Sequence, residues 1–261
     1  MKEKVSYAVI TGASSGIGQA FAARLAKEGY SLILIARNEA KLKEVKAEIS
    51  KLLHKNAICI TYKLDVTDEA ACFEFYKYIQ DQKIGIFINN AGFGDCSYFP
   101  DGNLSKEMDM IDLNIKAMHR LTKHFVRLFL KQRYGYLLNV ASLAGLMPAG
   151  PYMATYYATK AYVTSFTLSI ARELKDKRRR IYIGCLCPGP VDTNFNKIAN
   201  VNFSLPGISA KECVDYAVAE MKKKHELIIP QRHLRALALL SRFIPRKLCA
   251  FIVGMQQKRK F

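Results

Sequence analysis

The chain has 261 residues, a formal net charge of +18 and an apolar fraction of 50%. Such a length suits one large α/β domain better than two small ones, and it buries roughly 70% of its unfolded surface without staples. Seven scattered cysteines with no Cys-x-x-Cys pair, and five histidines without ligand spacing, argue against a disulfide framework and a metal site; they point to buried thiols in a reducing compartment.

Residues 1–4 run straight into an apolar stretch at 5–10, which leaves no room for a signal peptide. No stretch reaches the ~18 uninterrupted apolar residues of a spanning helix, so the expectation is a cytoplasmic protein. Residues 5–10 are predicted as a buried strand, 17–29 as a helix stopped by Gly29, 32–36 as a strand and 39–53 as a charged amphipathic helix. Further strands are predicted at 57–64, 84–89, 136–141, 181–187 and 226–229, with helices at 68–82, 106–131, 155–176 and 210–224. Repeated β-α-β units with continuously apolar strands predict a doubly wound parallel α/β sheet covered on both faces, over residues 1–230. Residues 231–261 read as a C-terminal basic amphipathic helical extension of the same domain.

The first strand leads into Thr-Gly-x-x-x-Gly-x-Gly at residues 11–18, followed by a helix. Gly12, Gly16 and Gly18 let the backbone turn and approach a pyrophosphate, while Ser14, Ser15 and Ile17 stand where the helix offers free N–H groups and its positive dipole end. This is the phosphate cradle of a Rossmann-type fold, although its spacing differs from the common Gly-x-Gly-x-x-Gly. At the end of the second strand an NAD-binding fold usually carries a carboxylate for the ribose. Here Arg37 stands instead, ready for a 2′-phosphate with Ser14 nearby, and NADP(H) is expected over NAD(H). Asp65 and Val66 follow the third strand, where a side chain can receive the adenine amino group. Asn90, Ala91 and Gly92 follow the fourth and can line the crevice; each is weak alone, since such residues are ordinary in turns.

Tyr156 and Lys160 are four apart and share one helix face. A phenol titrates near pH 10, too high for easy acid–base work at neutral pH, and a neighbouring ammonium lowers that value. Ser142, ending the fifth strand, offers a hydroxyl to hold a substrate oxygen beside Tyr156. Asn114, in a long helix, can anchor a water linking Lys160 to solvent. Tyr157 is the competing tyrosine, three residues from Lys160.

Taken in order, these motifs resemble the short-chain dehydrogenase/reductase family in its ordinary one-domain branch. The resemblance covers residues 5 to about 230 and includes the glycine run, Asn-Asn-Ala-Gly at 89–92, Asn114, Ser142, Tyr156 with Lys160, and Pro-Gly-x-x-x-Thr at 188–193. It implies a catalytic tetrad of Asn114, Ser142, Tyr156 and Lys160, with hydride passing to a carbonyl carbon while Tyr156 protonates the oxygen. It also implies that Lys160 holds the nicotinamide ribose and that Pro188, Gly189, Val191 and Thr193 wrap the carboxamide. Family habit implies a homodimer or homotetramer built on the long helices near Asn114 and Tyr156. One departure is the spacing from Ser142 to Tyr156, which is one residue longer than expected, with the extra residue assigned to the turn at 147–151.

The segment 194–209 follows the nicotinamide motif and carries Phe195, Ile198, Val201, Phe203, Leu205 and Pro206. It resembles the family's substrate lid. With Phe93, Met147, Tyr152 and Met153 it either receives an apolar substrate or packs on itself or a partner subunit. In the tail, Leu234, Leu237, Ile244, Leu248, Phe251 and Met255 follow helical spacing, interrupted at Ser241 and split by Pro245. No acidic residue follows Glu226, whereas Arg232, Arg235, Arg242, Arg246, Lys247, Lys258, Arg259 and Lys260 are all basic. The stripe either docks on the sheet domain or a second subunit, or lies on anionic lipid as a peripheral membrane contact. No nucleic-acid motif accompanies the charge, and nucleic-acid binding is not expected. The leading expectation is an NADPH-dependent carbonyl reductase acting on an apolar ketone or aldehyde. The alternatives are a membrane-surface reductase of lipid carbonyls and a non-catalytic NADP(H)-binding redox sensor, against which the intact tetrad argues.

Overall fold

The computed structural model describes residues 6–175, 180–193, 195, 199, 207–241 and 243–258. Strands β1 (Tyr7–Thr11), β2 (Ser31–Ala36), β3 (Cys59–Lys63), β4 (Ile84–Asn89), β5 (Gly135–Val140), β6 (Ile181–Leu186) and β9 (Leu227–Ile228) form one sheet in the order β3-β2-β1-β4-β5-β6-β9. Every pairing is parallel. The strand order runs outward from β1 to β3 and then returns to β4, so β1 and β4 flank the point where the loops at the strands' carboxyl ends diverge, where such folds bind ligands.

The strands are apolar on both faces because helices cover both. Alternate residues separate: Ala8, Ile10, Leu32 and Leu34 pack under α1 (Gly16–Ala26), α2 (Glu39–Ser50) and α7 (Ala210–Lys222). Val9, Ile33, Ile35 and Phe87 face α3 (Glu69–Ile79), α5 (Met118–Gln132) and α6 (Ala154–Lys175). Burial of these side chains contributes roughly 1.5–3 kcal/mol each and is what offsets the backbone entropy of ordering the sheet. A polar thread crosses the second face: Asn89 Nδ2 donates to Thr122 Oγ1 at 3.3 Å, Thr122 Oγ1 to Asn139 Oδ1 at 3.1 Å, and Asn139 Nδ2 to Thr167 Oγ1 at 2.9 Å. It ties β4 and β5 to α5 and α6, with every polar partner satisfied.

Side chains close several helix starts. Asn38, Asp68 and Asn103 accept from the backbone N–H three residues on, and Ser209 with Glu212 completes a capping box at α7. Helix α1 is different, since Ser15 makes no side-chain cap bond and the first-turn N–H groups stay open to the cleft.

Residues 106–131, expected as one helix, are three segments: α4 (Leu104–Ile111), a π-helical turn at Asp112–Ala117, and α5. The widened turn carries Asn114, and such insertions gather at functional sites because they re-aim a side chain. A two-stranded pair, β7 (Val191–Asp192) with β8 (Ile208–Ser209), also escaped the sequence pattern, being too short to show a period. The tail divides on either side of Pro245 into α8 (Arg232–Leu240) and α9 (Arg246–Lys258). Its packed stripe is Leu234 and Ala238, then Cys249, Val253 and Gln257, while Leu237, Leu248, Phe251 and Met255 face outward. The stripe picked from hydrophobicity therefore mixes the two faces of α8, through Leu234 and Leu237, and follows the outward face of α9 rather than its packed one.

Phe125 is fully buried and stacks on Phe87 with ring centroids 3.6 Å apart. Truncating it leaves a cavity where sheet and helix meet. Phe125→Ala is expected to lower the unfolding free energy by about 3–5 kcal/mol, read from the denaturant midpoint at constant slope.

Candidate active site

A cleft of about 830 Å³ opens along the carboxyl ends of β1, β2, β4 and β5 and runs under the C-terminal helices. Every residue singled out above for catalysis or cofactor contact lines it, except Gly18 and Asn114, which sit directly behind its wall.

At the β1–α1 end, Gly12 takes φ +64°, and a Cβ there would stand 2.8 Å from Asn90 Nδ2 and 3.1 Å from Ala91 Cα. Gly18 is excluded from bearing a side chain for another reason, as its Cβ would lie 2.2 Å from the Gly12 carbonyl oxygen. Glycine at both positions lets helix, strand and loop close together and brings the open N–H groups of α1 to the cleft surface. Thr11 fixes the opposite loop: its Oγ1 accepts from Asn90 N at 2.9 Å and Ala91 N at 3.0 Å, and Asn90 Nδ2 returns a bond to Thr11 O at 3.0 Å. The sequence motif begins at Thr11 but assigns it no role, because a strand-end threonine carries no signal of its partners. The uncapped helix start, the bare glycine backbone and the length of the cleft together fit a dinucleotide with its diphosphate at α1.

Arg37 leaves β2 at 73% side-chain exposure, with Nη1 3.7 Å from Asp65 Oδ2. The other Asp65 oxygen accepts from Thr67 N at 2.9 Å and Thr67 Oγ1 at 2.7 Å. Burial pushes the Asp65 carboxyl upward, but the Thr67 bonds and the Arg37 charge outweigh it and hold it below the ordinary carboxylate range. Lys41, one turn into α2, lines the cleft beside Arg37. Spacing gave no reason to separate it from the solvated lysines around it.

At the other end, Tyr156 is 8% exposed and lines the cleft beside Ser142. Ser142 Oγ also accepts from Ala144 N at 3.2 Å, which caps the short 3₁₀ turn Leu143–Leu146 and fixes the hydroxyl. Tyr157 also lines the cleft, but its hydroxyl accepts from Gln257 Nε2 at 2.6 Å, so the two phenols have different surroundings. Lys160 Nζ donates to Val140 O at 3.0 Å and stands 5.8 Å from the Tyr156 ring centroid. Burial pushes the Tyr156 phenol above its ordinary value, opposed by the neighbouring Ser142 hydroxyl, and it pushes the Lys160 ammonium down to about 8. Desolvation, rather than the lysine charge expected to lower the phenol, dominates here.

Asn114 is fully buried and holds the backbone of Phe93 from both sides: Oδ1 accepts from Phe93 N at 3.1 Å, and Nδ2 donates to Phe93 O at 2.8 Å and to Thr159 Oγ1 at 3.1 Å. A Cβ on Gly92 would meet Asn114 Oδ1 at 2.9 Å and Lys160 Nζ at 3.4 Å, so Asn114, Gly92 and Lys160 are packed into one corner. The 188–193 loop is pinned by Gln231, which accepts from Gly189 N at 3.1 Å and donates to Pro190 O at 3.0 Å. Phe93, Met153, Phe195 and Tyr156 gather in one apolar cluster at this end of the cleft. Ile198, Val201, Phe203, Leu205 and Pro206, expected to extend it, lie outside the described residues. The turn before α6 holds Tyr152 in the left-handed region at φ +65°.

A doubly wound parallel sheet with serine, tyrosine and lysine at its carboxyl edge and a glycine cradle across the switch point defines an oxidoreductase of the dinucleotide-fold class. The short chain dehydrogenase family model matches residues 6–202, and the chain belongs to that family. An uncharacterized oxidoreductase of Staphylococcus epidermidis is 36% identical over 195 residues, covering 74% of this chain and 80% of its own. The very-long-chain 3-oxoacyl-CoA reductase of Anas platyrhynchos is 33% identical over 209 residues, 77% of this chain, and the match spans 64% of the duck protein, less than two thirds of its length. Among solved structures, a short-chain dehydrogenase from Sphingobium yanoikuyae in complex with NADPH superposes with a TM-score of 0.81 at 28% identity, covering 92% of this chain and 94% of that one.

The depressed lysine has a thermodynamic consequence. Between pH about 8 and the ordinary value of 10.5 the unfolded chain binds a proton that the folded chain does not, so this group makes stability rise with pH across that window. Lys160→Met removes the buried charge. Its unfolding free energy relative to the parent chain is expected to be most favourable below pH 8 and to decline as pH rises toward 10.5, measured by denaturant titration across that range.

Proposed function

We propose that the protein is an NADP(H)-dependent carbonyl reductase that acts on an apolar ketone or aldehyde, with Tyr156 as general acid and base. The observation that carries this reading is the meeting of Tyr156 and Ser142 on the lining of the cleft at its apolar end, with the buried Lys160 ammonium 5.8 Å from the Tyr156 ring. When bound, the nicotinamide supplies the hydride that adds to the carbonyl carbon.

The chain's own groups handle the oxygen. Ser142 Oγ, held by Ala144 N, offers a hydrogen bond to the carbonyl oxygen and orients it toward Tyr156. Burial keeps the phenol protonated at neutral pH, as a proton donor needs to be. As the proton leaves, phenolate charge develops on Tyr156 Oη, and the Lys160 ammonium, itself near its titration point at about 8, stabilises that charge. Asn114 acts through the backbone of Phe93 and through Thr159, fixing the corner in which Lys160 sits. Pro188, Gly189, Val191 and Thr193 would hold the carboxamide face of the nicotinamide, and Gln231 keeps that loop in place.

The preference for NADP(H) rests on Arg37 and Lys41, two cations at the β2 end of the cleft where a ribose-binding carboxylate would otherwise stand. The Sphingobium structure holding NADPH supports the same choice. The apolar substrate rests on Phe93, Met153 and Phe195 around Tyr156, and the duck relative's name, a very-long-chain 3-oxoacyl-CoA reductase, supports an aliphatic carbonyl.

Two measurements test this reading. Tyr156→Phe is expected to lower NADPH-dependent reduction of a medium-chain ketone by about 100-fold or more while leaving NADPH binding, followed by nicotinamide fluorescence, unchanged. NADPH bound tightly by the parent chain with no turnover across ketones and aldehydes of graded length would instead point to a sensor. Arg37→Asp is expected to cut kcat/KM for NADPH by about 10- to 100-fold and to raise that for NADH. Equal efficiency with both cofactors in the parent chain would overturn the assignment.

A further inference from the structure

Helices α8 and α9 form the wall that closes the cleft on the side away from β1. Leu234 and Ala238 on α8, and Cys249, Val253 and Gln257 on α9, face the protein. The outward side is unusually apolar: Phe243 is 88% exposed, Phe251 62%, Leu240 60% and Leu239 55%, joined by Leu237, Leu248, Ile252 and Met255. On α9 the outward residues Leu248, Ile252 and Met255 recur at helical spacing, so the helix carries a second apolar stripe beside its packed one. Eight large apolar side chains in one region of surface are more than scattered exposure produces.

Two further facts decide what covers this ridge. First, its charges have one sign. Arg232, Arg235, Arg246, Lys247 and Lys258 are exposed along the two helices, and no acidic residue follows Glu226 in the chain. A second copy laid face to face would oppose cation to cation, whereas an anionic surface complements the pattern. Second, Leu237 and Ile252 belong both to the exposed ridge and to the lining of the cleft that holds Tyr156. The apolar surface is thus continuous from the outside of α8 and α9 into the reaction chamber. No helix among the described residues is long and apolar enough to cross a membrane, so insertion is limited to the depth of side chains.

We infer that α8 and α9 are a docking face for an anionic lipid surface, which seats the mouth of the cleft on the bilayer and lets an apolar carbonyl compound enter from the lipid without crossing water. The phenylalanines and leucines enter the acyl boundary and the basic side chains meet the phosphates. The docking itself stands on the ridge alone; only the delivery of a carbonyl substrate rests on the reductase reading.

The test is flotation of the full chain with vesicles of phosphatidylcholine containing phosphatidylglycerol, against vesicles of phosphatidylcholine alone, at low and high salt. Two exposed pairs outside the cleft lining serve as probes, Phe243→Ser with Phe251→Ser and Lys247→Glu with Lys258→Glu. The expected result is strong binding to the anionic vesicles that weakens with salt, falling by about tenfold in either double variant. Both variants should keep the parent melting temperature and the parent kcat/KM on a short, water-soluble ketone. A reductase acting from the surface should also lose rate on a long-chain ketone dissolved in those vesicles. Absence of binding, or binding that neither pair affects, overturns the inference. So does a concentration-dependent dimer in sedimentation that the phenylalanine pair dissolves while vesicles go unbound, which would assign the ridge to a second copy. A chain that floats with the vesicles yet reduces no carbonyl would keep the docking face and remove the reductase reading.

Discussion

The clasp between Thr11 and the Asn90–Ala91 backbone is the constraint on which the site depends. Strands β1 and β4 are adjacent, yet the loops that leave them turn to opposite faces of the sheet. Without a tie the two loops would splay and the gap would be a mere groove. One buried hydroxyl that accepts two backbone N–H groups, and one amide that returns a bond, hold both lips in register. From that fixed floor Gly12 presents bare backbone on one side, and Gly92 leads to the Asn114 and Lys160 corner on the other.

Electrostatics across the cleft are unequal. The β2 end is wet, with Arg37 and Asp65 both substantially exposed, and charge there acts through solvent at modest strength. The tyrosine end is dry, and burial moves the acidity of both Tyr156 and Lys160. The same desolvation penalises the lysine and keeps the phenol neutral. An active site of this kind is a place where folding free energy is held in reserve, in the form of a cation kept from water.

The sheet was readable from sequence because its strands are apolar on both faces and bounded by turn residues; alternation of Ala8 with Val9, or Leu32 with Ile33, then follows from the pleat. The glycine run, Ser142, Tyr156 and Lys160 were readable because they lie at strand ends or share a helix face, where spacing translates directly into direction. What escaped has a common cause. Thr11, Gln231 and Gln257 act through partners tens of residues away, and no local period encodes such a pairing; Lys41 is set apart from other surface lysines only by the cleft it lines. The π turn at Asn114 depends on one additional residue per turn, below what hydrophobic periodicity resolves. In the tail, α9 carries apolar residues on two faces, so a single stripe drawn through the sequence joined Leu248 and Met255, which face out, while omitting Val253 and Gln257, which face in.

The bond from Gln257 to Tyr157 joins the last helix to the residue beside the proton donor. The cleft is thereby walled by two different stretches of chain: the sheet loops and α6 on one side, and α8 and α9 on the other. Because those helices pack as a block through that latch and the inward stripe, the rest of their sequence is free to drift or be exchanged without disturbing the site behind them. Diversification of such a protein toward new compounds would therefore begin on the outer faces of these two helices.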